Sequence, residues 1–108
     1  MKGDRLGEFE EFTLLAVRAL GDRTYAVPVQ EYVEQATARR VSMGAIYAAL
    51  SRLEDKGFVQ SSMGEATAQR GGKPKRLYRV TPLGLKTARE LHTVRERIWN
   101  AIAEGKRT

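Results

Sequence analysis

The sequence predicts a mostly helical α+β fold that consists of three helices, a β-hairpin and a long final helix. Three observations predict it. Apolar residues recur at helical spacing in three early segments, short alternating segments flank a basic loop, and one long helical pattern ends the chain. A chain of 108 residues has the length of a single domain.

The first predicted helix covers about residues 7–20 and is apolar around most of its circumference. Leu14 and Val17 lie off its main apolar stripe. A helix that is apolar on so many sides must be covered on more than one of them. We therefore expect Leu14 and Val17 to contact a second copy of the chain. The main stripe consists of Phe12, Leu15, Ala16 and Ala19.

The second predicted helix starts near Tyr25, because Pro28 is tolerated only in a first turn. Its apolar stripe consists of Val29, Tyr32, Val33 and Ala36.

The third predicted helix lies between Ser42, a good N-cap, and Gly57, a good residue just beyond a helix C-terminus. Its buried stripe consists of Ile46, Leu50 and Leu53. The opposite face carries Met43, Gly44, Tyr47, Ala48 and Ser51. Because that face is small and polar with one aromatic ring, another molecule can approach it closely.

A β-hairpin and a long helix complete the predicted fold. Strands over about residues 58–62 and 76–81 enclose a loop rich in Gly, Gln and Lys. Thr81 and Pro82 then provide an N-cap and a first helical residue, and Gly105 ends the helix. At about 1.5 Å per residue this helix is roughly 34 Å long, more than a small domain can bury. Its apolar stripe consists of Leu91, Val94, Ile98 and Ile102, widened by Ala88 and Trp99.

This order of elements is typical of a winged helix-turn-helix with an added dimerisation helix. The second and third helices form the turn motif, the third is the base-reading helix, and the hairpin is the wing. We expect a DNA-binding domain over residues 1–81 and a dimerisation helix over residues 82–108, joined as one continuous structural unit.

The charge distribution points to the hairpin as the anion-binding region. The chain carries 19 basic and 13 acidic residues, for a net charge of +6. Residues 58–81 hold five basic residues and one acidic residue. Residues 1–57, in contrast, hold eight basic and nine acidic residues. This balance favours a nucleic-acid partner.

The sequence resembles the PadR family of transcriptional regulators, in its short form with one C-terminal helix. The matching segments are Leu14 to Gly21 (LLAVRALG), Tyr25 to Val29 (YAVPV), Val41 to Gly57 (VSMGAIYAALSRLEDKG) and Arg70 to Gly84 (RGGKPKRLYRVTPLG). The chain departs mildly from the family pattern at two positions. The family often has Gly where Ala26 stands and Tyr where Leu77 stands. The resemblance implies a homodimer that represses nearby promoters and often responds to a small molecule or to stress.

Two groups of residues are candidates for DNA binding. The wing group contacts phosphates and consists of Arg70, Lys73, Lys75 and Arg76. The reader group lies at the start of the third helix and consists of Ser42, Met43, Gly44, Tyr47 and Ala48. The Tyr47 hydroxyl suits a phosphate, and the family often uses a tyrosine there in this way, although the ring can instead pack under the wing. Arg52 can pair with Glu31 or Glu34, or touch DNA.

The final helix supplies the expected dimer contacts, which are Leu91, Val94, Ile98, Trp99 and Ile102. Trp99 has a second candidate role, since some members of this family bind flat apolar compounds between subunits. An effector, if one exists, is therefore expected to be apolar or aromatic.

The sequence contains few features that would indicate an enzyme, a metal site or a membrane protein. Glu10 and Glu11 look like ordinary surface patterning, and no nucleophile–base pair suggests an enzyme. With no cysteine and only His92, we expect neither a metal site nor a cofactor. No signal-peptide core or membrane span is evident, so a cytoplasmic protein is expected. The alternative function is a protein-interaction module, since winged helices also serve as scaffolds.

Overall fold

A computed structural model of the chain describes residues 5–64 and 73–105. The predicted mostly helical fold and its order of elements are confirmed. None of the helices in these two ranges is both long enough and apolar enough to cross a membrane. The elements are α1 (Glu8–Leu20), α2 (Ala26–Thr37), α3 (Met43–Asp55), β1 (Val59–Met63), β2 (Arg76–Val80) and α4 (Pro82–Ala103).

Side-chain caps fix the start of the two helices that matter most for function. The Ser42 hydroxyl accepts a hydrogen bond from the Ala45 backbone N–H at 3.0 Å, which begins α3. The Thr81 hydroxyl accepts from the Gly84 N–H at 3.0 Å, and Pro82 occupies the first position of α4. Both helix starts agree with the caps predicted from the sequence.

The core lies between the three N-terminal helices and the inner face of the hairpin. Every predicted stripe contributes to it, including Ile46, Leu50 and Leu53, which are fully buried. The core cluster consists of Leu14, Ala16, Val17, Ala26, Val29, Val33, Ile46, Leu50, Leu53, Phe58, Val59, Tyr78 and Ala88.

The structure corrects which face of α1 is turned outwards. Leu14 and Val17 were expected at a dimer contact, but they are only 1% and 0% exposed within one chain. They pack against α2 and α3 in the core, so no surface remains for a partner. The exposed apolar residues of this helix are instead Leu15, Ala19 and Leu20. The predicted main stripe is divided between the two sides of the helix, because Ala16 is buried and Phe12 half-buried, whereas Leu15 and Ala19 are exposed.

The hairpin is antiparallel and is attached to the helices at its second strand. Its register pairs Val59 with Val80 at one end and Met63 with Arg76 at the other. The Tyr78 N–H donates to the Thr24 carbonyl at 2.7 Å, and this isolated β-bridge joins the connection between α1 and α2 to β2. The hairpin base therefore has a fixed position relative to the three-helix core.

The buried residues of α4 lie in its first half. Gly84 and Ala88 are buried, whereas most residues beyond Leu91 are exposed. His92 lies on the surface, and its Nε2 is 3.7 Å from the Glu96 carboxylate one turn further along. The second half of the helix exposes Val94, Ile98, Trp99 and Ile102.

The end of α2 places a non-glycine residue in the left-handed region. Ala38 follows the helix with φ of 56° and ψ of 33°. A β-carbon makes this conformation costly by about 1 kcal/mol. We expect Ala38→Gly to raise the free energy of unfolding by about 0.5 kcal/mol in urea titrations. The same change inside the helix, Ala36→Gly, should lower it by about 1 kcal/mol. A destabilised Ala38→Gly protein would contradict this assignment of strain.

Candidate nucleic-acid interface

The outer face of α3 is open over its first two turns. Gly44 and Ala48 are exposed, and the Tyr47 side chain is 53% exposed. A β-carbon added at Gly44 would meet only the Ser42 hydroxyl, at 3.9 Å. This surface can therefore approach another molecule without obstruction from its own chain.

Met43 differs from the other members of the reader group. It is half-buried and packs against the hydrophobic core, so only part of its side chain is accessible. Ser42 is exposed, but its hydroxyl already accepts the capping bond from Ala45. The accessible part of the reader group thus centres on Gly44, Tyr47 and Ala48.

The two described lysines of the wing occupy different environments. Lys73 is exposed beside Pro74. The Lys75 ammonium lies 4.5 Å from the centre of the Tyr25 ring, a cation–π contact with the residue that precedes α2. Arg70, which was also predicted to contact DNA, lies outside the described residues. Both lysines are therefore exposed, and Lys75 alone of the two has a contact with the helical part of the chain.

Arg76, the first residue of β2, belongs to a hydrogen-bonded network between the hairpin and α3. Its Nη1 donates to the Ser61 hydroxyl at 2.9 Å, and that hydroxyl donates to the Glu54 carboxylate on α3 at 2.6 Å. Sequence patterns gave no signal for Ser61 and Glu54, because the three residues meet only through the fold. The network connects both strands of the hairpin to the C-terminal turn of α3.

Tyr78 lies beneath this network and remains a neutral phenol. Burial raises its pKa, Arg76 opposes the shift, and the charges of Glu54 and Tyr47 add to it. The phenol therefore stays protonated at neutral pH.

A buried carboxylate of α1 positions α3 from behind. Glu10 is 7% exposed, and its oxygens accept from Arg52 Nε at 2.7 Å and from Lys56 Nζ at 2.5 Å. Lys56 also donates to the Arg5 carbonyl. The partner of Arg52 is therefore neither Glu31 nor Glu34, and Glu10 is not surface patterning.

The neighbouring carboxylate, Glu11, is 7% exposed and accepts from Arg95 Nη2 of α4 at 2.9 Å. Two adjacent acids of α1 thus contact two different helices. Helical periodicity could not reveal this, since it does not report which distant cations meet a given side chain.

We expect Glu10→Gln to lower the free energy of unfolding by about 2 kcal/mol at pH 7, because it leaves two cations without their carboxylate. Although burial raises the pKa of Glu10, the bonds from Lys56 and Arg52 outweigh this and lower it below its usual value. The carboxylate therefore adds stability above about pH 4.3, and this stability is lost as the pH falls through the lower folded pKa.

The pH dependence provides the control for this prediction. The stability difference between wild type and Glu10→Gln, measured by urea titration, should shrink below about pH 4. Glu8→Gln, an exposed position on the same turn, should change stability by less than about 0.5 kcal/mol. A constant difference from pH 7 to pH 3 would contradict a role for the Glu10 charge.

The arrangement suits the binding of an elongated anionic partner better than the catalysis of a reaction. Exposed cations lie on the wing, and an open helix face with a phenolic hydroxyl lies on α3. Among the described residues, no three His, Cys, Asp or Glu side chains are grouped as metal ligands. Phosphate contacts and close approach to base edges are what such a surface can provide.

Similar folds occur in transcriptional regulators. A regulator from Clostridium thermocellum is 22% identical, with a TM-score of 0.67 over 89% of this chain and 88% of that one. A PadR-like transcription factor from Bacteroides fragilis is 17% identical, with a TM-score of 0.72 over 91% and 89%. Bacillus subtilis PadR, solved in complex with operator DNA, is 21% identical, with a TM-score of 0.62 over 77% of this chain and 45% of that one. No curated protein sequence matches the chain.

The fold and the exposed third helix define a winged helix-turn-helix transcriptional regulator. The model of the transcriptional regulator PadR-like family matches residues 14–90, which is most of the chain and includes the helix-turn-helix, the hairpin and the start of α4. The protein belongs to the PadR-like family. The resemblance identified from sequence is confirmed, and the family and the similar structures are regulators of transcription, not enzymes.

Proposed function

We propose that this protein binds double-stranded DNA sequence-specifically as a homodimer and represses transcription from a pseudo-palindromic operator. The observation that carries the proposal is the exposed face of α3 next to the basic hairpin. The operator complex of the similar Bacillus subtilis PadR supports the same mode of use. A regulator of this kind acts where the DNA is, so the expected cytoplasmic location is part of the proposal.

The two elements have different roles in this proposal. Gly44 and Ala48 let α3 enter the major groove, where small side chains can approach a thymine methyl group. The Tyr47 hydroxyl donates to a phosphate oxygen at the groove edge. Lys73 and Lys75 contact phosphates, which increases affinity without reading sequence. Arg76 shares its guanidinium between Ser61 and the DNA, so it also fixes the orientation of the wing.

Dimerisation is supported by apolar surface that one chain leaves uncovered. Ile98 and Trp99 on α4 are 57% and 67% exposed. A groove of about 480 Å³ lies between α1 and α2 and is lined mainly by apolar side chains, which include Phe12, Leu15, Ala19, Tyr32 and Ala36. We propose that α4 and the outer face of α1 meet the same elements of a second copy. Residues 1–81 form the DNA-binding domain in this proposal, and residues 82–108 form the main dimerisation helix.

We expect light scattering to give twice the mass of one chain, and Ile98→Glu to give the mass of one chain. A charge placed in an apolar contact cannot be solvated there, so the dimer loses stability. Arg97→Glu, its exposed neighbour, is the matched control and should remain dimeric. A wild-type protein that stays monomeric at micromolar concentration would remove both the dimer and the symmetric operator.

Trp99 belongs to this dimer surface, and the effector site is proposed at the same place. A planar apolar compound could stack on the indole between two subunits. Because Trp99 is exposed within one chain, its ring is available to contact a second subunit or an apolar effector.

The proposed function is tested by selecting bound duplexes from a random DNA pool. The expected result is an enriched, two-fold symmetric sequence, with half-sites about one helical turn or a multiple of it apart. A pool that stays random after several rounds would favour the protein-interaction module instead.

A further inference from the structure

Two adjacent arginines lie in the connection between α2 and α3, immediately before the reader helix. Arg39 and Arg40 are exposed. Over residues 5–64 and 73–105, neither guanidinium has an acidic partner or another hydrogen bond. This distinguishes them from Arg18, Arg52, Arg76, Arg79 and Arg95, which all contact a side chain of the same protein.

The connection that carries the two arginines is held by side chains of α2. Gln30 Nε2 donates to the Val41 carbonyl at 2.7 Å, and the Val41 N–H donates to the Glu34 carboxylate at 2.8 Å. Both backbone groups of Val41 are therefore bound by the preceding helix. The arginines thus start from a fixed backbone, which reduces the entropy cost of binding a ligand.

The surface around the two arginines is open and concave. They border a depression of about 650 Å³ together with Gln30, Glu34 and Ser42. One carboxylate oxygen of Glu34 is engaged by the Val41 N–H, and within the described residues the carboxylate has no ion pair with either arginine. Two guanidinium groups that form no ion pair within the described residues therefore line this space beside one carboxylate, so its lining keeps a net positive charge and can admit an anion.

We propose that Arg39 and Arg40 form a second phosphate-binding patch, which clamps the DNA backbone at the N-terminal end of α3. This inference rests on the proposed DNA binding. The reader helix carries its accessible residues in its first two turns, so the backbone flanking that end of the groove passes close to the connection. Guanidinium groups can bind phosphate oxygens with two parallel hydrogen bonds. The patch and the wing then hold the duplex from two separate places around α3.

The test compares wild type with the double variant Arg39→Ala/Arg40→Ala on a duplex selected from a random pool and on its scrambled form. We expect the affinity for both duplexes to fall by about tenfold or more, because phosphate contacts supply affinity for any sequence. The slope of log affinity against log salt should become shallower by about 0.9 for each phosphate that the variant no longer neutralises. The variant Arg39→Lys/Arg40→Lys should keep most of the slope, because it keeps both charges.

A matched control removes the same net charge elsewhere. Arg89→Ala/Arg97→Ala changes two exposed arginines of α4 and should leave affinity and salt slope near those of wild type. Equal decreases in affinity for both double variants would overturn the patch, because net charge alone would explain them. Wild-type binding with no change in the Arg39/Arg40 variant would also overturn it and leave the proposed function standing. A wild-type protein that binds neither duplex would remove the proposed function itself.

Discussion

Gly44→Leu and Ala48→Leu are expected to abolish the preference for the operator over scrambled DNA. Both positions are exposed on the face of α3 that we assign to the major groove. A large side chain there holds the helix away from the base edges, while the phosphate contacts of the wing remain. Specific binding of such regulators exceeds non-specific binding by about 10³-fold or more. We expect most of this ratio to disappear and the weak non-specific affinity to stay near wild type.

The matched wing variant should behave in the opposite way. Lys73→Ala/Lys75→Ala is expected to weaken binding to operator and scrambled duplex alike, and to flatten the salt dependence by roughly 0.9 for each phosphate no longer neutralised. Arg76→Ala is measured separately, because it also removes the bond to Ser61 that links β2 to β1. Titrations of both duplexes at three salt concentrations separate the two roles. Wing variants that lose selectivity while α3 variants keep it would show that the roles are reversed.

Gly84→Ala is expected to have the largest effect on stability, a decrease of about 3 kcal/mol in the free energy of unfolding. A β-carbon at this position would lie 2.2 Å from the Phe58 carbonyl oxygen. That oxygen also accepts from the Thr81 N–H at 3.0 Å, so it cannot move away without breaking the junction. The first turn of α4 would have to shift away from β1.

The same substitution at Gly44 is the control. Its added β-carbon meets nothing closer than 3.9 Å, so Gly44→Ala should raise the free energy of unfolding by up to about 1 kcal/mol. Urea titrations of the two variants give both values. Similar stabilities for the two would contradict the close approach between α4 and the end of the α3–β1 connection.

Local signals were sufficient to predict the order of elements and most of their ends. Ser42, Thr81 and Pro82 mark helix starts through their own chemistry, and a period of about 3.6 residues marks the buried stripes. The open face of α3 could also be predicted, since a helix that buries Ile46, Leu50 and Leu53 turns its opposite face, with Gly44, Tyr47 and Ala48, outwards.

Side-chain partners over long sequence separations could not be predicted. Glu10 meets Arg52 and Lys56, which are 42 and 46 positions away, and Glu11 meets Arg95 across 84 positions. Periodicity also could not say which side of α1 faces its own chain, because both sides are apolar. Sequence patterns also gave no signal for Arg39 and Arg40. Whether an arginine has an acidic partner depends on the fold, and the neighbouring residues in the sequence do not show it.

Sequence-specific binding of double-stranded DNA by the wild-type protein is the central claim, and its most direct measurement is an equilibrium titration. A labelled duplex selected from a random pool is compared with its scrambled form at salt concentrations from about 50 to about 200 mM. The account predicts tighter binding of the selected duplex at every salt concentration, with two chains per duplex and a steep decrease in affinity as salt rises. Equal, weak affinities for both duplexes at all salt concentrations would contradict it.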